Sequence, residues 1–396
     1  MQVIKPWVLL GLGLGVSIAL AGHADQLSSP LYPTSVLNRG VENVEAGLGV
    51  DSRIWGENGK SGDWRSLLQA IDYSLNYLET PAAVEAYQDY ATPGITRDRV
   101  RRSLWRFRQL ILTMRSPEEL QTAVQREFVL YQSVGNDGEG TVDFTGYFEP
   151  TYTASRIPTA DYRYPLYRRP TALDQWSLPH PTRVELEGVD GLQGGQGPLR
   201  GLELVWLRDR LEAFLIQVQG SARLQLTDGD IFTVGYAGRT EYAYTSIGRE
   251  LVNDGKFRQE DLSLPALIRF FQERPNELDG YISRNQRFVF FQATNGSPAI
   301  GTLSVPVTAG RSIATDKSLM PPGALALIHL PLPHATAAGD WAFRPVSRYV
   351  LDQDTGGAIR GPGRVDIFIG TGTAAGRQAG LINTGGQLYY LLLKED

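Results

Sequence analysis

Cysteine is absent from all 396 residues. That excludes disulfides, a thiol nucleophile, thiolate metal sites and a thiol-linked lipid anchor. An exported protein of this length must then rely on its core, for which 42% hydrophobic residues are ample. Histidine is scarce as well, with only His23, His180, His329 and His334. No His-x-x-x-His or Glu-x-x-His spacing occurs, so a zinc or di-iron centre is not expected and no cofactor is called for. No Gly-x-Ser-x-Gly elbow supports a serine hydrolase. Positive charge is in deficit too. The 38 Lys and Arg against 43 Asp and Glu leave a net charge of −5, which gives no electrostatic reason to expect nucleic acid.

What is present points to strands and turns. Forty-three Gly and 23 Pro, with many Tyr, Phe and Val, read as a β-rich chain, and the length suggests two or three domains. One long apolar run exists, Pro6 to Ala21, preceded by Lys5 and ending near the small residues Ala19, Ala21 and Ala24. Residues 1–24 therefore read as a secretory signal peptide, which places the mature protein in the periplasm or cell envelope. Left uncleaved, roughly 16 apolar residues would make a marginal anchor and give weak membrane association. The small residues favour cleavage.

Residues 25–60, with Pro30 and Pro33, read as an irregular arm. From Trp64 to about Tyr131 the pattern is helical. Leu67, Leu68, Ile71 and Leu75 recur at helical spacing, as do Val100, Leu104, Phe107 and Ile111. Ser116-Pro117-Glu118-Glu119 forms a capping box that should start a further helix. The arginines at 97, 99, 101, 102, 106 and 108 surround an apolar stripe, so they read as a solvated helix face.

Beyond Gly138 the texture changes to strands. Thr141 to Phe148 alternates and Tyr162 to Tyr167 is aromatic, while Leu202 to Leu226 reads as a hairpin-like β run. Ser246 and Ser263 precede short capped helices, and Arg287 to Gln292 returns to strand. The glycine-rich loop Gly188 to Gly201 has no lysine and no strand-to-helix setting for phosphate. Gly370 to Gly376 matches a dinucleotide loop weakly, without an acidic residue at ribose distance. Further strands are expected at Val305–Val307, Leu325–Leu330, Tyr349–Leu351, Val365–Ile369 and Leu388–Leu393.

The candidate chemistry lies in Val350 to Gly370. Asp354 precedes a Gly-Gly pair, and Asp366 sits inside the apolar strand Val365 to Ile369. Alternation sends Val365, Ile367 and Ile369 to one face, and Asp366 with Phe368 to the other. Taken alone, Asp366 would decorate the wet face of a half-exposed strand, because Asp is mostly an exposed residue.

The order of several motifs changes that reading. Thr145-Gly-Tyr-Phe-Glu-Pro150, Val218-Gln-Gly-Ser221, Asp228-Gly229, Tyr236-Ala-Gly238, Tyr244-x-Ser246-Ile-Gly248 and Asn285 to Phe291 follow one another. Asp316 then stands in Thr-Asp-Lys-Ser-Leu-Met-Pro-Pro-Gly, Asp354 in Asp-Thr-Gly-Gly-Ala-Ile-Arg-Gly, and Asp366 in Val-Asp-Ile-Phe-Ile-Gly. From roughly 140 to 385 the set resembles the MltA-type lytic murein transglycosylases with their three-aspartate module.

The resemblance implies a mainly β protein with N-terminal helices. A double-psi β-barrel domain, a second inserted β-barrel domain and a glycan-holding groove between them would make up the fold. The implied division is a helical first part of the catalytic domain at 61–150, an inserted barrel at 151–295, and a second catalytic part at 296–396 carrying the module. The family cleaves the β-1,4 bond between N-acetylmuramic acid and N-acetylglucosamine, leaving a 1,6-anhydromuramyl end. Peptidoglycan glycan strands are thus the implied partner, and other cell-wall enzymes would be natural neighbours.

By match to the family, Asp366 would serve as general acid and then base. Asp354 and Asp316 would shape its environment, with turn and backbone capping as their alternative role. Tyr147, Gln219, Ser221 and Tyr236 are substrate-binding candidates, because sugars want apolar faces with amide or hydroxyl edges. Each would otherwise be a packed β residue. A non-catalytic peptidoglycan-binding protein is the alternative function, and a hydrolase using Glu149 as second carboxylate is another. Described members are often lipoproteins, a route closed to a chain without cysteine.

Overall fold

The computed structural model describes residues 29–34, 48–56, 61–336 and 339–395. The segment 1–24 read as a signal peptide lies outside the described residues. Strand β1 (Leu31–Thr34) precedes four helices: α1 (Trp64–Leu78), α2 (Pro81–Gln88), α3 (Arg97–Thr113) and α4 (Pro117–Glu127). Thr80, Thr96 and Ser116 cap the last three through side-chain oxygens, and proline opens α2 and α4. Strands β2 (Phe128–Ser133) and β3 (Val142–Glu149) follow.

Two readings change here. β1 pairs antiparallel with β2, so this part of the expected irregular arm is sheet. Asp51, also in that arm, is buried against Arg311, whose Nη1 lies 2.5 Å from it. The carboxylate also accepts the Tyr349 N–H at 3.0 Å, which secures the chain there more firmly than its composition suggested. On α3 the arginines divide. Arg101 and Arg102 pair with Asp98, and Arg106 with Glu127, on the solvent side. Arg99 is instead buried, donating to the carbonyls of Leu393 and Gly94 and to the Tyr131 hydroxyl. It stands one residue before Val100 on the inward stripe, so those acceptors replace water.

The central block holds β4 (Thr151–Ser155), β5 (Tyr164–Tyr167), α5 (Arg183–Glu187), β6 (Glu203–Leu207) and α6 (Arg210–Gln219). It continues with β7 (Ser221–Leu226), β8 (Ile231–Arg239), α7 (Ile247–Asn253), α8 (Leu264–Glu273), α9 (Pro275–Arg284) and β9 (Val289–Ala293). The strand order is β5-β6-β4-β7-β8-β9, and an Arg168–Phe291 bridge joins the two outer edges. Leu166, Val205, Leu207, Ile216, Leu224, Val234 and Phe291 fill its core. The hairpin expected over Leu202 to Leu226 is corrected to strand, helix, strand. Asp209 accepts the Leu211 N–H at 2.6 Å as the cap of α6, and Leu211, Phe214 and Leu215 recur at helical spacing. Gly220, with φ of 79°, then ends the helix in the left-handed region.

The last block comprises β10 (Ser312–Ala314), β11 (Leu325–Ala335), β12 (Trp341–Asp354), β13 (Arg364–Thr371), α10 (Thr373–Ala379) and β14 (Asn383–Leu393). The order β14-β11-β12-β10-β13-β3 closes on itself through β14–β3, giving a six-stranded barrel with β2 and β1 appended to β14. This mainly β architecture with N-terminal helices matches the expected class. No strand forms at Val305–Val307. Gly301 and Val305, with Ser304 at φ 60°, close a tight turn instead, though both valines are buried.

The chain divides into two compact units. One comprises Tyr147–Ile300 with Ile369–Leu381, and the other the described residues of Gly15–Gly146, Gly301–Phe368 and Ile382–Asp396. The first therefore includes α10, from a stretch that the sequence had placed with the final block. There Phe148 leaves no room for a side chain at Gly376, where an added Cβ would lie 2.7 Å from its ring.

Candidate active site

Strand β10 is short, and it aligns the aspartates. Ala314 pairs antiparallel with Asp366 on β13 and parallel with Asp354 at the end of β12. The two acids thus occupy one row across three strands, about 10 Å apart from Cα to Cα by strand spacing. A bulge between Ile313 and Ala314 sets this register, skipping one residue on β12.

Asp366 is half-buried, with Val365 and Ile367 facing the core on either side. Its Oδ1 accepts the Thr145 hydroxyl at 2.6 Å, and Thr145 in turn accepts Arg364 Nη2 at 2.9 Å. Burial pushes the Asp366 carboxyl above the ordinary range. Arg364 and the Thr145 bond pull it down, and the Asp354 charge adds to the rise, so the net direction is upward. The carboxyl is therefore biased toward its neutral, proton-bearing form.

Asp354 binds backbone. Its Oδ1 accepts the N–H groups of Thr302 and Thr355 at 2.9 and 2.8 Å, and its carbonyl accepts Thr315 N–H. Asp316 is buried and ties two loops together. Oδ1 accepts the Ser318 N–H and hydroxyl, while Oδ2 accepts Gly361 N–H at 2.9 Å. Burial pushes its carboxyl up, but those bonds and Arg360 at 3.8 Å outweigh burial and leave it below the usual range. Asp316 thus anchors the loop between Asp354 and Asp366.

A fourth acid, Asp352, escaped the sequence reading. It is fully buried beneath the row, bound by Lys317, by Thr315 at 2.8 Å and by Tyr390 at 2.7 Å. Lys317 also donates to the Asp354 carbonyl, so one ammonium holds the base of the row. The signal available was Asp352 itself, an acid inside the apolar run Tyr349 to Asp352, which had to be paired if buried.

The four substrate-binding candidates lie in the other unit. Gln219, the last residue of α6, accepts the Phe148 N–H through Oε1 at 3.2 Å, next to half-buried Tyr147. Ser221 opens β7 opposite Gly235, the neighbour of Tyr236. Gly220 brings the α6–β7 corner against Tyr236, whose Cβ would lie 3.9 Å from an added methyl. Tyr236 is 41% exposed, but Ser221 only 8%, so Tyr236 offers its ring far more openly than Ser221 offers its hydroxyl. Glu149 is 2% exposed and accepts Thr371 Oγ1 at 2.8 Å, so it is not placed as an open second carboxylate.

A closed six-stranded barrel bearing a row of aspartates, together with a second six-stranded barrel, defines a two-barrel protein with a three-aspartate module. Residues 143–292 match the MltA specific insert domain family, and residues 311–392 match the 3D domain family. The chain is 32% identical over 264 residues to membrane-bound lytic murein transglycosylase A of Escherichia coli K12, covering 66% of this chain and 68% of that protein. Its structure resembles a membrane-bound lytic murein transglycosylase from Agrobacterium tumefaciens, with a TM-score of 0.67, 28% identity, and coverage of 84% of this chain and 93% of that one. Escherichia coli MltA with bound chitohexaose shares the fold at a TM-score of 0.69 and 22% identity, covering 99% of this chain and all, 100%, of that one. The chain belongs to the family of membrane-bound lytic murein transglycosylase A.

Proposed function

We propose that this protein is a peptidoglycan lytic transglycosylase that cleaves the β-1,4 bond between N-acetylmuramic acid and N-acetylglucosamine and leaves a 1,6-anhydromuramyl end. The observation that carries the reading is Asp366, a carboxyl biased toward protonation, with one oxygen hydrogen-bonded by Thr145. Most glycosidases need a second carboxylate for water or covalent attack. Here the substrate brings its own nucleophile, the muramyl C6 hydroxyl.

Asp366 donates its proton to the glycosidic oxygen as the C1–O bond breaks, and the N-acetylglucosamine leaves as an alcohol. The C6 oxygen then bonds to C1 and its proton passes to Asp366, which restores the acid. No water enters the balance. Asp354 tunes the acid, and Asp316 and Asp352 hold the surrounding loops. The inserted barrel, 151–295, with Tyr147 at its entrance, supplies Gln219, Ser221 and Tyr236 as glycan contacts. That a related protein carries bound chitohexaose supports a glycan ligand for this chain. Action on murein also places the protein in the cell envelope, reached by export through the segment 1–24.

Mass analysis of fragments released from purified peptidoglycan tests the proposal. The expected product is lighter than the hydrolytic one by a water. Reducing-end products would point to a hydrolase, and binding without release to a non-catalytic wall protein.

A further inference from the structure

Arg364 stands two residues before Asp366 on β13, on the same face, and is itself buried. It does not pair with the carboxyl directly. Its Nη2 donates to Thr145 Oγ1 at 2.9 Å, and Thr145 Oγ1 lies 2.6 Å from Asp366 Oδ1. A guanidinium has only donors, so Thr145 Oγ1 must accept from Arg364. The hydroxyl hydrogen remains available and is donated to Oδ1. Among the described residues, no protein group bonds Asp366 Oδ2. A carboxylic acid that accepts a hydrogen bond on one oxygen keeps its proton on the other.

We propose that Arg364 is a positioning residue which, acting through Thr145, holds the transferable proton of Asp366 on Oδ2 and stabilises the carboxylate left when that proton departs. The catalytic significance rests on Asp366 being the acid; the proton placement does not. Two charged groups face Asp366, Arg364 from its own strand and Asp354 from the end of β12, while β3 contributes the uncharged Thr145. Burial and Asp354 favour the neutral acid, whereas Arg364 and Thr145 favour the anion. A buried carboxyl lacking the second pair would hold its proton too tightly to release it. The hydroxyl matters in this arrangement more than its methyl group does. Serine should therefore replace threonine, and valine should not.

The test is an NMR titration of the Asp366 carboxyl carbon in the full-length, ligand-free protein labelled at aspartate, run beside pH–rate profiles on purified glycan strands. Arg364→Met and Thr145→Val should each raise the Asp366 midpoint, by on the order of one pH unit, as expected for loss of a nearby cation or of a bond to the charged form. They should lower kcat about tenfold or more, with little change in KM, and move the alkaline limb of the rate profile upward. Thr145→Ser should keep the parent midpoint. If Arg364→Met fails to fold, Thr145→Val decides, because Arg364 stays in place. An unmoved midpoint in folded Thr145→Val overturns the proposal. A raised midpoint together with full activity of Asp366→Asn would keep the proton placement and instead refute Asp366 as the acid.

Discussion

Asp366 owes its chemistry to a conflict between burial and charge. Its carboxyl is raised by burial and by Asp354, and restrained by Arg364 and Thr145. Asp366→Asn keeps the size of the side chain but can neither give nor take the proton. It should lose about 10⁴-fold or more in turnover on purified glycan strands while still binding them, because in the proposed mechanism one residue serves both halves of the reaction. The same substitution should stabilise the fold. A carboxyl whose folded value lies above its unfolded one makes the native state bind more protons, so stability falls as pH rises from the unfolded value through the folded one. The asparagine variant should therefore melt higher than the parent at neutral pH, and the gap should close below about pH 4, where both states are protonated. A variant less stable at both pH values would contradict the account. Asp354→Asn acts with the opposite sign. Removing that negative charge favours the Asp366 anion, so the alkaline limb of the rate profile should move to lower pH, with activity reduced but retained.

Elements were legible where one local pattern sufficed. The stripes of α1 and α3, the serine caps and the strands β3 and β13 appear where period and capping chemistry put them. Legibility failed for the apolar run of α6, because continuous hydrophobic residues do not distinguish a buried helix from a buried strand. It failed also for the outer halves of β11 and β12, where Trp341 to Val346 alternate into solvent and look unlike a core. The partners of Asp366 were beyond any local pattern. Thr145 lies 221 residues away in the chain, and barrel closure and register bring the two together. Gly220 joins an element boundary to the candidate glycan contacts on either side. Alanine there would meet only ordinary contact from Tyr236, but a left-handed φ should cost about 1–2 kcal/mol and displace Gln219 and Ser221. Denaturant unfolding should show that loss, with glycan affinity reduced as well. Asp51 tests the arm in a similar way. Asp51→Ala leaves Arg311 with Asp63 as its one carboxylate, beside the Tyr349 carbonyl, and breaking a buried pair of this kind costs about 3–5 kcal/mol. A change below 1 kcal/mol would mean that Asp63 suffices.

At the scale of the whole molecule the question is whether anything besides side chains carries the reaction. Three aspartates in one module invite a cation, yet their hydrogen bonds disperse them. Asp316 serves Ser318 and Gly361, Asp354 serves Thr302 and Thr355, and Asp366 serves Thr145. Among the described residues, no group of three or more His, Asp or Glu is placed to hold a metal ion. Two of the histidines are engaged elsewhere: His180 accepts the Glu241 N–H, and His329 shares a hydrogen bond with Ser347. With no cysteine in the chain, thiolate ligation is closed as well. As the proposed acid, Asp366 would moreover have to be protonated, and a bound divalent ion would favour its anion. Activity on purified peptidoglycan should therefore survive exhaustive chelation with its pH profile unmoved, and added magnesium, calcium or zinc should not raise it. Loss of turnover on chelation, restored by one of these ions, would replace the single-acid mechanism with a metal-assisted one.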